Sequence, residues 1–89
     1  MENLKISVTG KVQGVWYRAK TKEKADELRL SGFVVNQDNG SVYLEVSGEK
    51  DIVYDLVKWL QNGSELSMVK KVCIEKNHIF HKDGFVIKR

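Results

Sequence analysis

The chain has 89 residues, of which 42% are hydrophobic and 30% charged, and its formal net charge is +3. This length and composition predict one small globular domain over residues 1–89, and they exclude disordered, fibrous and helical membrane-spanning classes. A single cysteine, Cys73, excludes an internal disulfide scaffold. Because the first residues also lack a secretory signal, the sequence favours a reducing, cytoplasmic location.

The first half of the chain predicts a strand, a helix and a hairpin. Apolar and polar residues alternate over Leu4–Thr9, which is typical of a strand with one buried face. The stretch from about Ala19 to Leu30 is rich in lysine, glutamate and alanine, and it predicts a helix that stops at Gly32. Phe33–Gln37 and Ser41–Ser47 then predict two strands joined by an Asp-Asn-Gly turn.

The second half predicts one more helix and two more strands. An apolar stripe runs along Asp51–Gln61, which indicates an amphipathic helix. Val69–Lys76 predicts a strand whose Val72 and Ile74 point inward. After an Asp-Gly turn, Phe85–Lys88 predicts a short final strand.

The order of these elements is β-α-β-β-α-β with a short extra strand. It predicts the α+β class and the ferredoxin-like split βαβ arrangement, with two helices on one face of an antiparallel sheet. Because this fold carries many activities, the fold alone does not predict a function.

The segment GKVQGVWYR, from Gly10 to Arg18, joins the first predicted strand to the first predicted helix. Backbone N–H groups at a helix N-terminus lack intrahelical partners, and two glycines allow a loop to gather such groups around an anion. The alternative is that Gly10 and Gly14 only shape a tight turn. Arg18 favours the anion site, because its planar fork matches two phosphate oxygens. Lysines further along the helix fit an ordinary solvated face.

Two motifs of the chain resemble signatures of the acylphosphatase family. Residues 10–18 resemble the first signature, Gly-x-Val-Gln-Gly-Val-x-aromatic-Arg. Residues 32–36, GFVVN, followed by Gly40, Val42 and Gly48, resemble the second signature, including its spacing. The resemblance covers essentially the whole chain. The chain departs from the family pattern at Val35, where a longer residue is usual, and at Gln37, where some members have threonine.

The resemblance implies an acylphosphatase, an enzyme that hydrolyses acyl phosphates to a carboxylate and inorganic phosphate. It implies that backbone N–H groups of the first signature hold the phosphoryl group and that Arg18 binds it. The loop positions concerned are Gly14, Val15, Trp16, Tyr17 and Arg18. It also implies that the Asn36 amide positions the attacking water. No metal or other cofactor is implied, and inorganic phosphate or sulfate is expected to fit the same loop.

Other chemistry-bearing residues favour plainer interpretations. His78 and His81 are three positions apart, but a metal site needs more ligands, so we interpret them as loop histidines. Cys73 has no evident partner base and is interpreted as a packed or partly exposed thiol. Trp16 lies inside the loop, and we hypothesise that it borders the substrate pocket.

Two other function classes compete with the enzyme. The fold and basic charge also fit an RNA-recognition module. Among the outward residues of its two central strands, however, the sequence offers one aromatic, Tyr43, beside the acidic Glu45, which is a poor stacking platform. A phosphate-sensing domain without turnover is the second alternative. The sequence favours a monomeric enzyme with a small-molecule acyl phosphate substrate, no nucleic acid and no membrane partner.

Overall fold

The computed structural model describes residues 1–63 and 67–88. The elements found there are, in chain order, β1 (Glu2–Lys11), α1 (Tyr17–Glu27), β2 (Ser31–Asn36), β3 (Val42–Gly48), α2 (Lys50–Asn62), β4 (Met68–Lys76) and β5 (Phe85–Lys88). Both predicted helices and all the predicted strands are therefore present. None of the helices in these two ranges is long and apolar enough to span a bilayer.

The strands form one mixed sheet in the order β4-β1-β3-β2-β5. β1 pairs antiparallel with both β3 and β4, and β2 pairs antiparallel with β3. The predicted ferredoxin-like α+β fold is confirmed, and the sheet is antiparallel as predicted except where the short extra strand β5 joins it. β5 pairs parallel with β2, because the chain leaves β4 at one edge and crosses to the opposite edge before β5 begins.

The core lies between the sheet and the two helices. Alternation along β1 and β3 places every second side chain on the helix-facing surface. The α2 stripe covers the same surface, as its spacing predicts. Each fully buried aliphatic side chain stabilises the fold by about 1.5–3 kcal/mol. The fully buried members from these three elements are Leu4, Ile6, Val8, Val42, Leu44, Val46, Val53, Leu56 and Leu60.

Two details differ from the prediction. α1 ends at Glu27 and the turn is made by Arg29 in a left-handed conformation, with φ 58°, rather than at Gly32. Gly32 lies within β2, where a Cβ atom would stand 1.9 Å from the Glu45 carbonyl oxygen, so its role is close strand packing. Ile74 shares the core-facing register with Ile6, yet it is 37% exposed because β4 is an edge strand.

The sheet face opposite the helices is crossed by residues 77–84, which we call the strap. Asn77 donates its backbone N–H to the Asn3 carbonyl, and His81 donates its backbone N–H to the Ser47 hydroxyl. Glu45 projects from β3 between them and bonds to the His81 ring and the Asn77 amide. The strap therefore fastens the β4 edge to the β5 edge near one end of the sheet.

Candidate active site

At the other end of the sheet, the loop between β1 and α1 has two left-handed residues. Gly14 has φ 72° and Trp16 has φ 64° and ψ 15°. Alternating the backbone hand over successive residues turns their N–H groups toward one point, as in anion-binding nests. A Cβ at Gly14 would meet no atom within 4 Å, so only backbone conformation favours glycine there.

The backbone N–H groups of this loop are free to bind a ligand. In the described parts of the chain, no acceptor bonds the N–H of Gly14, Val15 or Trp16. Tyr17 and Arg18 open α1, and the first N–H groups of a helix have no intrahelical partner. The N–H groups of residues 14–18, which we call the nest, are therefore five consecutive donors. They lie at the positive end of the α1 dipole, where no acidic residue occupies the first turn.

Gly10 does not belong to this loop, contrary to the sequence expectation. It lies within β1 at a register shift against β4, with φ 127°. A Cβ at this position would stand 2.1 Å from the Met68 carbonyl oxygen. Its function is therefore to let two strands approach, and of the two glycines Gly14 is the one that shapes the nest.

Trp16 and Tyr17 point in opposite directions. The Trp16 side chain is 73% exposed, whereas Tyr17 is 1% exposed. Tyr17 donates its hydroxyl to the Leu60 carbonyl at 3.0 Å and stacks on Trp59 with a 5.8 Å centroid distance. Burial raises the pKa of Tyr17 well above its ordinary value. The Tyr17 side chain thus anchors the start of α1 to α2, and its backbone N–H remains at the nest.

Arg18 lies in the first turn of α1 and contacts the end of β5. Its Nη1 donates to the Lys88 carbonyl at 3.3 Å, and within residues 1–63 and 67–88 it forms no ion pair. The next lysines on α1 are paired instead, Lys20 with Glu23 and Lys22 with Asp26. Arg18 is therefore a cation at the nest whose charge is not compensated by any carboxylate of the described residues.

Asn36 is the last residue of β2 and pairs with Val42 of β3. Its Oδ1 is buried and accepts no hydrogen bond from the described residues. A buried acceptor without a donor costs about 1–3 kcal/mol, and such groups are commonly satisfied by a bound water. This unsatisfied amide lies at the same end of the sheet as the nest.

One pocket of about 350 Å³ joins these features. Its walls bring together one strand end, the loop, the first turn of α1 and β5. The lining residues are Val12, Gly14, Trp16, Tyr17, Arg18, Ala19, Asn36 and Ile87. The pocket combines apolar walls with an arginine, an amide and backbone donors, which is an arrangement suited to a small organic phosphate.

Comparison with known proteins agrees with this geometry. The family model described as Acylphosphatase matches residues 4–87. An acylphosphatase of Nostoc sp. is 38% identical over 94% of this chain and 83% of its own length. One of Pseudomonas aeruginosa is 40% identical, over 92% and 90%. The chain belongs to the acylphosphatase family. The crystal structure of acylphosphatase from Bacillus subtilis superposes with a TM-score of 0.94 at 31% identity, covering 100% of both chains.

In this member of the acylphosphatase family, most of the predicted site residues line one pocket. Gly14, Trp16, Tyr17, Arg18 and Asn36 do so. The Val15 side chain packs against the hydrophobic core, which leaves its backbone N–H as the part available to a ligand.

Sequence reasoning missed three contributors to the site. Ile87 forms part of the pocket wall, and the Lys88 carbonyl accepts the hydrogen bond from Arg18. Both residues are about 70 positions from Arg18 in the chain. Gln13 bonds the loop to the β2–β3 hairpin. It lies inside the first signature, but no spacing rule indicates its partners.

The two histidines and the cysteine do not line this pocket. His81 bonds Glu45 at 2.8 Å on the strap, and His78 is also part of the strap. Cys73 is exposed on β4. Among residues 1–63 and 67–88 there is no group of three or more His, Cys, Asp or Glu residues able to hold a metal ion.

The opposite sheet face has one more aromatic than the sequence indicated. Phe33 stands beside Tyr43, with ring centroids 6.0 Å apart, and it forms a T-shaped contact with His81, with ring centroids 5.6 Å apart. Lys88 lies 4.0 Å above the same ring. Tyr43 is bonded to Glu45. These rings are engaged by neighbouring side chains and do not form an open platform for bases.

Proposed function

We propose that this chain hydrolyses acyl phosphates, the mixed anhydrides of a carboxylic acid and phosphoric acid, by means of the nest, Arg18 and Asn36. Membership of the acylphosphatase family supports acyl phosphate hydrolysis as the activity. The observation that carries the assignment of residue roles is the pocket in which the nest, Arg18 and Asn36 meet.

The nest and Arg18 hold the phosphoryl group. N–H groups of residues 14–18 donate to its non-bridging oxygens, and the Arg18 guanidinium adds a planar pair of donors. Because these dipoles and this charge are already in place, they stabilise the transition state without reorganising. Phosphoryl transfer mainly requires positioning and charge stabilisation, which the nest, Arg18 and Asn36 supply without a metal ion or other cofactor. Inorganic phosphate and sulfate present the same oxygens and fit the same donors.

Asn36 positions the attacking water. The water oxygen bonds to phosphorus while the bond from phosphorus to the carboxylate oxygen breaks, and its electron pair leaves with the carboxylate. Because a carboxylate is a weak base, no strong general acid is required. An amide is too weak a base to take the water proton, which passes instead to a phosphoryl oxygen. The amide contributes orientation, and its unsatisfied Oδ1 is suited to accept a hydrogen bond from that water.

We also propose that residues 1–89 act as one catalytic domain. It is monomeric and cytoplasmic, with a small-molecule substrate and no nucleic acid or membrane partner. The lone cysteine fits a reducing compartment. Sedimentation equilibrium tests the monomer directly, and a mass twice that of the chain would contradict it.

Phosphate release from acetyl and benzoyl phosphate, measured in EDTA without added metal, tests the function. We expect the wild type to release phosphate and Arg18→Ala to lose roughly a hundredfold or more in kcat/KM. Lys22→Ala is the matched control, because Lys22 is a cation of the same helix paired with Asp26. No release by the folded wild type would contradict the proposal and favour the phosphate-sensing alternative.

A further inference from the structure

Gln13 joins the nest to the β2–β3 hairpin through two hydrogen bonds from one atom. Its Nε2 donates to the Gln37 carbonyl at 2.7 Å and to the Ser41 carbonyl at 2.8 Å. A side-chain amide nitrogen has two hydrogens, so both bonds form together. The two acceptors belong to the two sides of the hairpin turn.

Those two carbonyls lie next to Asn36 in the structure. Gln37 follows Asn36, and Ser41 precedes Val42, the cross-strand partner of Asn36. The Gln37 N–H also donates to the Ser41 carbonyl at 2.9 Å, which closes the base of the turn. Gln13 therefore bonds the hairpin one residue beyond the amide that faces the pocket.

On the other side, Gln13 immediately precedes Gly14, the first residue of the nest. In the parts of the chain that the structure describes, these two bonds are the hydrogen bonds that link residues 12–16 to residues 36–41. The regular pairing of β1 with β3 ends before this point, at Val8 and Val42. Within the described residues, the Gln13 amide is thus the hydrogen-bonded link between the nest and the hairpin that carries Asn36.

We propose that Gln13 is a positioning residue that fixes Asn36, and hence the attacking water, relative to the bound phosphoryl group. This inference rests on the proposed function. Gln13 acts through the hairpin and donates nothing to the substrate, so its loss leaves phosphate binding nearly intact. In-line attack is sensitive to placement, and a misplacement of about 1 Å can cost on the order of a hundredfold in rate.

The test uses Gln13→Met, which keeps the side-chain length and removes both donors. We expect kcat to fall by roughly tenfold or more, while the Kd for inorganic phosphate changes by less than about threefold. Gln61→Ala, an exposed glutamine at the end of α2, is the matched control and keeps wild-type kcat. If Gln13→Met fails to fold, Gln13→Asn replaces it, because its amide is one methylene too short to reach both carbonyls.

A double-mutant cycle with Asn36→Ala separates positioning from general damage. If Gln13 acts through Asn36, Gln13→Met causes little further loss of kcat in the Asn36→Ala background. Losses that multiply independently, or a wild-type kcat for folded Gln13→Met, would overturn the inference while leaving the proposed function in place. A folded wild type that releases no phosphate would overturn the proposed function, and this inference with it.

Discussion

The backbone conformation of Trp16 determines the directions in which the Trp16 and Tyr17 side chains point. Its left-handed backbone turns Trp16 outward to the pocket rim and Tyr17 inward to the core. A large residue in this conformation is strained by about 1–2 kcal/mol. The Tyr17 contacts with Leu60 and Trp59 anchor the following residue and help to maintain the conformation. Packing of Tyr17 against α2 thus stabilises the nest, and the N–H groups of the nest remain available to a ligand.

At the residue scale, we predict that Tyr17→Phe separates stability from activity. The change removes the hydroxyl bond to the Leu60 carbonyl, so the free energy of unfolding falls by about 1 kcal/mol. The backbone N–H of residue 17 is unchanged, so kcat and KM stay near wild type. Urea unfolding and phosphate release measure the two effects. A large loss of kcat in a folded Tyr17→Phe protein would mean that the hydroxyl takes part in catalysis.

At the element scale, the strap is fastened by polar bonds to the sheet. Glu45 accepts hydrogen bonds from the Tyr43 hydroxyl at 2.7 Å and the Asn77 amide at 3.0 Å, and its carboxylate lies 2.8 Å from the His81 ring. Burial raises the pKa of Glu45, but the bonds from Tyr43, His81 and Asn77 outweigh burial and hold that pKa below its usual 4.5. Burial and the bond to Glu45 also raise the pKa of Tyr43 to about 12.

The Glu45 carboxylate should therefore contribute to the pH dependence of stability. Because its folded pKa lies below its unfolded pKa, its contribution is fully present above pH 4.5 and is lost as pH falls through the folded value. We expect Glu45→Gln to show a smaller loss of unfolding free energy than wild type between about pH 5 and pH 3. Glu75→Gln, on the exposed edge strand β4, is the control. Urea unfolding at several pH values gives the dependence of the unfolding free energy on pH for each protein. An identical dependence for wild type and Glu45→Gln would contradict this role.

Sequence patterns predict the elements well because each pattern reports on local burial. The alternation in β1 and the apolar stripe of α2 can each be interpreted from neighbouring residues alone. The end of α1 was misplaced, because Arg29 adopts a left-handed conformation that its side chain does not signal. Arg18 is indicated by its own chemistry, because an arginine that follows a glycine loop at a helix start matches two phosphate oxygens. Asn36 is indicated only by the resemblance, since an asparagine alone is compatible with an ordinary strand-end or turn residue. The Gln13 and Lys88 contacts depend on tertiary geometry and left no local signal.

At the scale of the whole molecule, the two ends of the sheet have different tasks. The strap closes one end, and the pocket occupies the other, where β1, β2 and β5 finish. The parallel strand β5 brings Lys88 to Arg18, so the crossing chain that fastens the sheet also supplies a contact of the site. In the function proposed above, one pocket thus serves two separable tasks, phosphoryl binding and water positioning.

The most direct test of this separation measures phosphate affinity and turnover in the same folded Asn36→Ala protein. Calorimetric titration with inorganic phosphate should give a Kd close to that of wild type, while kcat on benzoyl phosphate falls by roughly a hundredfold or more. Arg18→Ala, measured alongside, should lose both properties. Full turnover by Asn36→Ala would contradict the water-positioning role, and a loss of phosphate binding as severe as that of Arg18→Ala would contradict the separation of the two tasks.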